Sequence, residues 1–196
     1  MDPRRFDLIV VNRHDGLTGP NVVVTRTALH RVTPERLAAA AGEWRERFAA
    51  YQRPLVAVLL GGSNGRFRLD AAVGAQLAAD LAAMARRDKV GIVVTMDSVS
   101  MISEAAATAA PVLVVELPGR SRRIGAFNQS LLADGRVRRF AGRFEHWPVE
   151  PINDTPMAAA ELRRRLCLGR AAAAIEPLPP VLGRHPDSHG SQVPNI

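Results

Sequence analysis

A single cysteine, Cys167, in 196 residues excludes an internal disulfide and any cysteine-clustered zinc site. Its place between Leu166 and Leu168, on an expected last helix, makes packing its reading. Lysine is as scarce: Lys89 stands alone, so 25 of the 26 basic residues are arginine. Against 19 acidic residues this leaves a net charge of +7 and a pI of about 11.2. Such a balance invites a nucleic acid or an anionic membrane surface as partner. Arginine replacing lysine beside abundant alanine is, however, what a GC-rich coding sequence gives with no binding role. Aromatic residues are few, at 5%, and do not interleave with the arginines as on a single-strand stacking platform. Nucleic acid is therefore not expected as a partner, while peripheral membrane contact is compatible with the charge. No apolar run approaches a membrane span, and Met1-Asp2-Pro3-Arg4-Arg5 leads into a strand rather than a signal-peptide core. The expected location is the cytoplasm.

Hydrophobic residues make up 47% of the chain, enough for one sizeable core. Two continuous apolar runs, Leu55–Leu60 and Val90–Thr95, read as parallel strands covered on both faces. The second opens a stretch, Thr95–Gly119, that reads as strand end, polar turn, helix and strand. Asp97, Ser98 and Ser100 can each offer the oxygen that caps a helix N-terminus, and the open N–H groups there attract phosphate. Glu104, one turn further, is placed for a carboxylate that accepts hydrogen bonds from two ribose hydroxyls. An ordinary capped helix with a solvated glutamate has the same sequence.

The first run ends in Gly61-Gly62-Ser63-Asn64-Gly65. Glycines at a strand's end let backbone approach a ligand closely. The loop lacks the lysine and spacing of a Walker motif and is not GxGxxG, so neither a nucleoside-triphosphate hydrolase nor a dinucleotide site is indicated. Arg66 to Leu69 separate it from a helix expected from about Asp70 to Arg86, with Val73, Leu77, Leu81 and Met84 on one face. Arg120, Arg122 and Arg123 follow the glycine of ELPG at a strand's C-terminal end, where open α/β sheets hold their ligands, and Arg120 and Arg123 are candidate diphosphate contacts. Arg136, Arg138, Arg139, Arg143 and Arg163 to Arg165 read as solvated.

Elsewhere, Phe6–Val11 and Asn21–Arg26 read as short strands. His14 and Asp15 lie in the turn between them, where local capping is the safer account of the pair. Thr33-Pro34 opens a helix whose stripe of Leu37, Ala41, Trp44 and Phe48 reads as core packing. Ile124, Phe127 and Leu131 form a further stripe that Gly135 terminates. His146 has no metal-ligand partner at suitable spacing, and Thr155-Pro156 opens the last helix.

Together HDGLTGPNVVVTRTALHRVTP, GGSNGRFRLD, DSVSMISEAAAT and ELPGRSRRIG resemble bacterial relatives of the plant mitochondrial-fission "elongated mitochondria" family, over about residues 6 to 168. That family looks like the glycosyltransferase B superfamily. The resemblance implies an α/β fold, a Rossmann-like parallel sheet flanked by helices, like the C-terminal domain of a glycosyltransferase B protein. It implies a nucleotide-diphosphate sugar as substrate with no further cofactor. Gly61 to Gly65 then match the loop near the diphosphate and acceptor, Ser98 and Ser100 the turn at the phosphates, and Glu104 the acidic residue at the ribose. Epimerases of the superfamily use a similar site, and plant members of the family imply instead a non-catalytic adaptor that recruits a dynamin-type fission protein. Family members are longer, so residues 1–52 are expected to be strands and a linker helix left from an N-terminal domain. Residues 53–168 are expected to form the nucleotide-sugar-binding domain and 169–196 a disordered tail. A βα stretch expected between Arg87 and Val90 is absent, and no catalytic residue is assigned.

Overall fold

The structure is a computed structural model that describes residues 2–51, 55–85 and 91–166. Cys167, Lys89, the Arg87–Val90 junction and the tail from 169 lie outside them. Two parallel sheets are present among the described residues. The smaller pairs β1 (Ile9–Asn12) with β2 (Val22–Thr25), in register from Ile9 opposite Val22 to Asn12 opposite Thr25. The larger has the order β3 (Val56–Leu59), β4 (Gly91–Thr95), β5 (Val112–Val115), β6 (Val137–Arg139). Both β-branched runs are thus parallel strands, as their continuous hydrophobicity predicts.

Alternation along the strands divides the core into two faces. Val94, Val112, Val114 and Val137 point to one face, where Ile102 and Ala105 of α4 (Val99–Ala106) and Phe127 and Leu131 of α5 (Arg122–Ala133) cover them. Val93 and Leu113 point to the other, against Leu81 and Met84 of α3 (Ala71–Ala85) and Trp147. The strands step across the sheet in one direction, yet α3 lies on the opposite face from α4 and α5. The β3–α3–β4 crossing therefore has the opposite hand to β4–α4–β5, and parallel crossovers are right-handed almost without exception.

Helix ends follow the sequence signals. Thr33 accepts from the Arg36 amide at the start of α1 (Pro34–Glu43), Ser98 from Met101 and Ser121 from Ile124. Gly135, at φ 69°, ends α5, its amide and that of Arg136 bonding back to Leu132 and Leu131. The last helix, α6 (Thr155–Arg165), packs on β2.

Three expectations are corrected. The stripe Leu37, Ala41, Trp44, Phe48 is not core: α1 and α2 (Arg45–Ala49) bury none of their residues, and among the described residues the Trp44 ring stacks on Phe48 and lies beneath the Arg47 guanidinium. Amphipathic spacing gives the side a helix would bury, not the presence of a partner. Nor is Arg136 solvated. It is 4% exposed, and its guanidinium donates to the carbonyls of Ala106, Thr108 and Ala110 at the C-terminus of α4, which satisfies orphan acceptors that the short turn cannot. Arg165, read as solvated with its neighbours, is half-buried and donates to the Pro20 carbonyl at 2.6 Å.

Candidate functional site

The C-terminal ends of β3 and β4 meet where the covering helices change faces. Leaving β3, the Gly61 amide donates to the buried Thr95 hydroxyl at 2.8 Å. A β-carbon on Gly61 would overlap the Asp97 carboxylate, so glycine is required by close approach. Asp97 is buried and its Oδ1 has no hydrogen-bond partner. Nothing lies within 4 Å of where a β-carbon on Gly62 or Gly65 would sit, which leaves that backbone open to a ligand.

Beyond Gly65 the loop folds back over the sheet rim. Asn64 Oδ1 accepts from the amides of Arg66 and Phe67, and the Ser63 hydroxyl accepts from Leu69. Both side chains thus shape the loop. Phe67 bridges to Gly119 in antiparallel fashion: Arg68 donates to the Pro118 carbonyl at 2.8 Å and Arg120 to that of Arg66 at 3.0 Å. Gly119, at φ 142°, has no room for a β-carbon beside the Arg66 carbonyl. The loops after β3 and β5 are thereby joined over a cleft of about 460 Å³ lined by Phe67, Met96, Glu116, Leu117, Arg120 and Asn128. Asn128 is 1% exposed; its amide nitrogen donates to the carbonyls of Met96 and Ile124, while its Oδ1 has no partner. Glu116 is held by Arg139 at 2.6 Å.

Helices α4 and α5 start beside this rim, capped by Ser98 and Ser121, and the Arg66 guanidinium reaches the Ser121 hydroxyl at 3.4 Å. A second cleft, of about 300 Å³, separates these helix starts from the turn after β1, and Asn12, His14, Arg66, Val99, Ser121 and Arg123 line it. In that turn Asp15 accepts from the Asn12 amide, the expected local capping, and pairs with Arg123 at 2.7 Å. The His14 ring packs edge-on against Phe127. Burial pushes its pKa down, Asp15 opposes this, and Arg123 adds to it.

Gly61 to Gly65, Asp97, Ser98 and Arg120 are thus gathered around one rim. Ser100 lies exposed in the first turn of α4, and Arg123 faces the second cleft. Glu104 is exposed on α4, lines neither cleft and has no side-chain partner among the described residues. Sequence reasoning missed Arg66, Phe67, Ser121 and Asn128. Ser121 carried a readable signal, a capping residue just before the amphipathic Ile124–Leu131 stripe. Asn128 carried none beyond being polar on a buried face. No group of residues that could hold a metal ion is present among the described residues, and none of their helices is long and apolar enough to cross a membrane.

The chain matches the family described as Mitochondrial fission ELM1 over residues 1–95 and again over 90–166, so the two matches meet on β4. It is 31% identical to the Mitochondrial fission protein ELM1 of Arabidopsis thaliana over 234 aligned positions, covering 83% of this chain and 55% of the relative. The chain thus spans about half the length of that relative. The aligned span is longer than the chain's 196 residues, so part of the relative within it has no counterpart here. No solved structure matches. Family match and identity over most of its length agree: this chain belongs to the mitochondrial fission ELM1 family.

Proposed function

We propose that the chain binds a nucleotide-diphosphate sugar in the crevice at the C-terminal ends of β3 and β4. One observation carries this reading. The open glycine backbone of Gly62 to Gly65 and the Ser98-capped start of α4 meet where the connections leave to opposite faces, and open α/β sheets bind ligands in the crevice outside the carboxyl ends of their strands. The diphosphate rests on the α4 N-terminus beside Ser98 and Ser100, within reach of the glycine loop and Arg120. Glu104, free on the outer side of α4, accepts from the ribose hydroxyls. The cleft under Phe67 takes the sugar. In longer family members the same parts serve sugar transfer, in which positioning and stabilisation of the leaving diphosphate are the main demands.

Thermal-shift measurements against uridine, guanosine, adenosine and cytidine diphosphate sugars test this, because a ligand that binds only the native state raises the melting temperature. A rise of several degrees with one nucleotide is expected, abolished in Glu104→Ala and retained in Arg164→Ala. A second reading, a non-catalytic adaptor for a protein partner, draws on the uncovered apolar face of Leu37, Trp44 and Phe48 and on the name of the Arabidopsis relative. A cooperative melt indifferent to all four nucleotide sugars supports it over the first.

A further inference from the structure

We propose that the second cleft, between the Asn12–Asp15 turn and the starts of α4 and α5, binds a phosphate-class oxyanion, and that His14 contacts this anion as a proton carrier. The His14 side chain is 2% exposed and neither ring nitrogen has a hydrogen-bond partner; Nε2 is 3.6 Å from Asp15 Oδ1. A buried imidazole with both nitrogens idle demands an explanation, and here it lines a cavity that can admit the missing partner. Facing it are two helix N-termini, the eight-residue α4 opening at Val99 and the twelve-residue α5 behind Ser121, neither with an acidic residue in its first turn. Their unbonded amides and dipoles favour negative charge.

The charges around the ring fix the sign. Its own turn carries Asp15 and Arg13, the latter engaged with Asp134 at 2.6 Å. Arg123 comes from α5, and the loop after β3 brings Arg66. Among the described residues Asp15 is the single carboxylate adjoining the ring and is already paired with Arg123, so the cleft is left positive. Burial favours the neutral imidazole. An oxyanion beside it favours the charged ring, so binding takes up a proton and strengthens on acidification.

Sulfate is the probe, because it does not titrate between pH 6 and 8. Its affinity for the full chain is measured at both pH values, with the histidine ring resonances followed by NMR. Sulfate is expected to raise the His14 pKa and to bind about tenfold more tightly at pH 6 than at pH 8, the consequence of one coupled protonation. That difference disappears in His14→Gln, and Arg66→Gln weakens binding at both pH values. Should His14→Gln not fold, the wild-type resonance, identified by its contact with the Phe127 ring, reports the same pKa change. Absence of sulfate binding at pH 6, or an unchanged pH dependence in His14→Gln, overturns the proposal. Competition between uridine diphosphate and sulfate assigns the anion to the nucleotide, and simultaneous binding assigns it to a separate phosphorylated ligand; either result upholds the site. The two readings fail separately: a nucleotide-sugar shift without sulfate binding overturns this inference alone, and sulfate binding without any nucleotide-sugar shift overturns the other alone.

Discussion

A β-carbon on Gly61 would strike the Asp97 side chain, whereas one on Gly119 would strike the backbone carbonyl of Arg66, and only the first obstacle can be removed by mutation. Gly61→Ala is expected to destabilise the chain by about 1–3 kcal/mol, the range for overpacking, and adding Asp97→Ala should recover most of it. Gly119→Ala, strained also by φ 142°, should show no such rescue; urea midpoints distinguish the two. Asp154 gives a pH dependence. Burial alone would raise its pKa, but hydrogen bonds from the Arg26 guanidinium and from the amides of Arg26 and Thr27 outweigh it and hold the carboxyl below its ordinary range. Its stabilising effect is therefore complete above the unfolded value of about 3.9 and is lost as pH falls through the lower folded value. Asp154→Asn should lower stability at neutral pH and flatten the acid limb below about pH 4 in a series of denaturation curves. The glycine loop and the Ser98 cap were legible in the sequence, since each obeys a local rule. The burial of His14 was not, because it is produced by Phe127, far along the chain.

At the scale of elements, α5 and the α1–α2 segment make an instructive pair. Both show an amphipathic stripe and a readable start, yet Phe127 and Leu131 are fully buried while Trp44 and Phe48 are 41% and 42% exposed. Periodicity is a property of one segment, and burial is a property of two. Trp44→Gln and Phe48→Gln are accordingly expected to shift the unfolding free energy by less than about 0.5 kcal/mol each, as exposed substitutions do. Arg136→Met should cost about 2–4 kcal/mol by chemical denaturation, since it strips a buried charged donor from the carbonyls that close α4. An arginine serving a helix end across a strand connection has no sequence signature, and reading the arginines by their numbers concealed Arg136 among its solvated neighbours.

For the molecule as a whole, among the described residues three ion pairs tie the β1–β2 pair and its flanking turns to the rest: Arg13–Asp134, Arg123–Asp15 and Arg26–Asp154. Hydrogen exchange should find β4 and β5 slowest, because both are interior strands with buried side chains on each face. It should find the amides of β1 and β2 accelerated in Asp154→Asn while β4 and β5 hold. The fold class was legible because β3 to β5 and the helices between them carried local signals, whereas β6 lay hidden in a stretch whose arginines read as solvated; the hand of a crossing was not legible, since it depends on which face a helix chooses. That reversed hand at β3–α3–β4 has a simple geometric counterpart in a longer sheet. In a longer sheet, strands following α3 would pair with the open edge of β3 and give α3 the ordinary hand, and the chain would return to β4 from the far side. Excising those strands moves no remaining element and reverses one crossing. The two family matches meet on β4, and Ala57, Val58 and Leu60 lie exposed on and just beyond β3. A crossing of this hand is what the loss of such strands predicts, and the Arabidopsis relative holds residues within the aligned span that have no counterpart here.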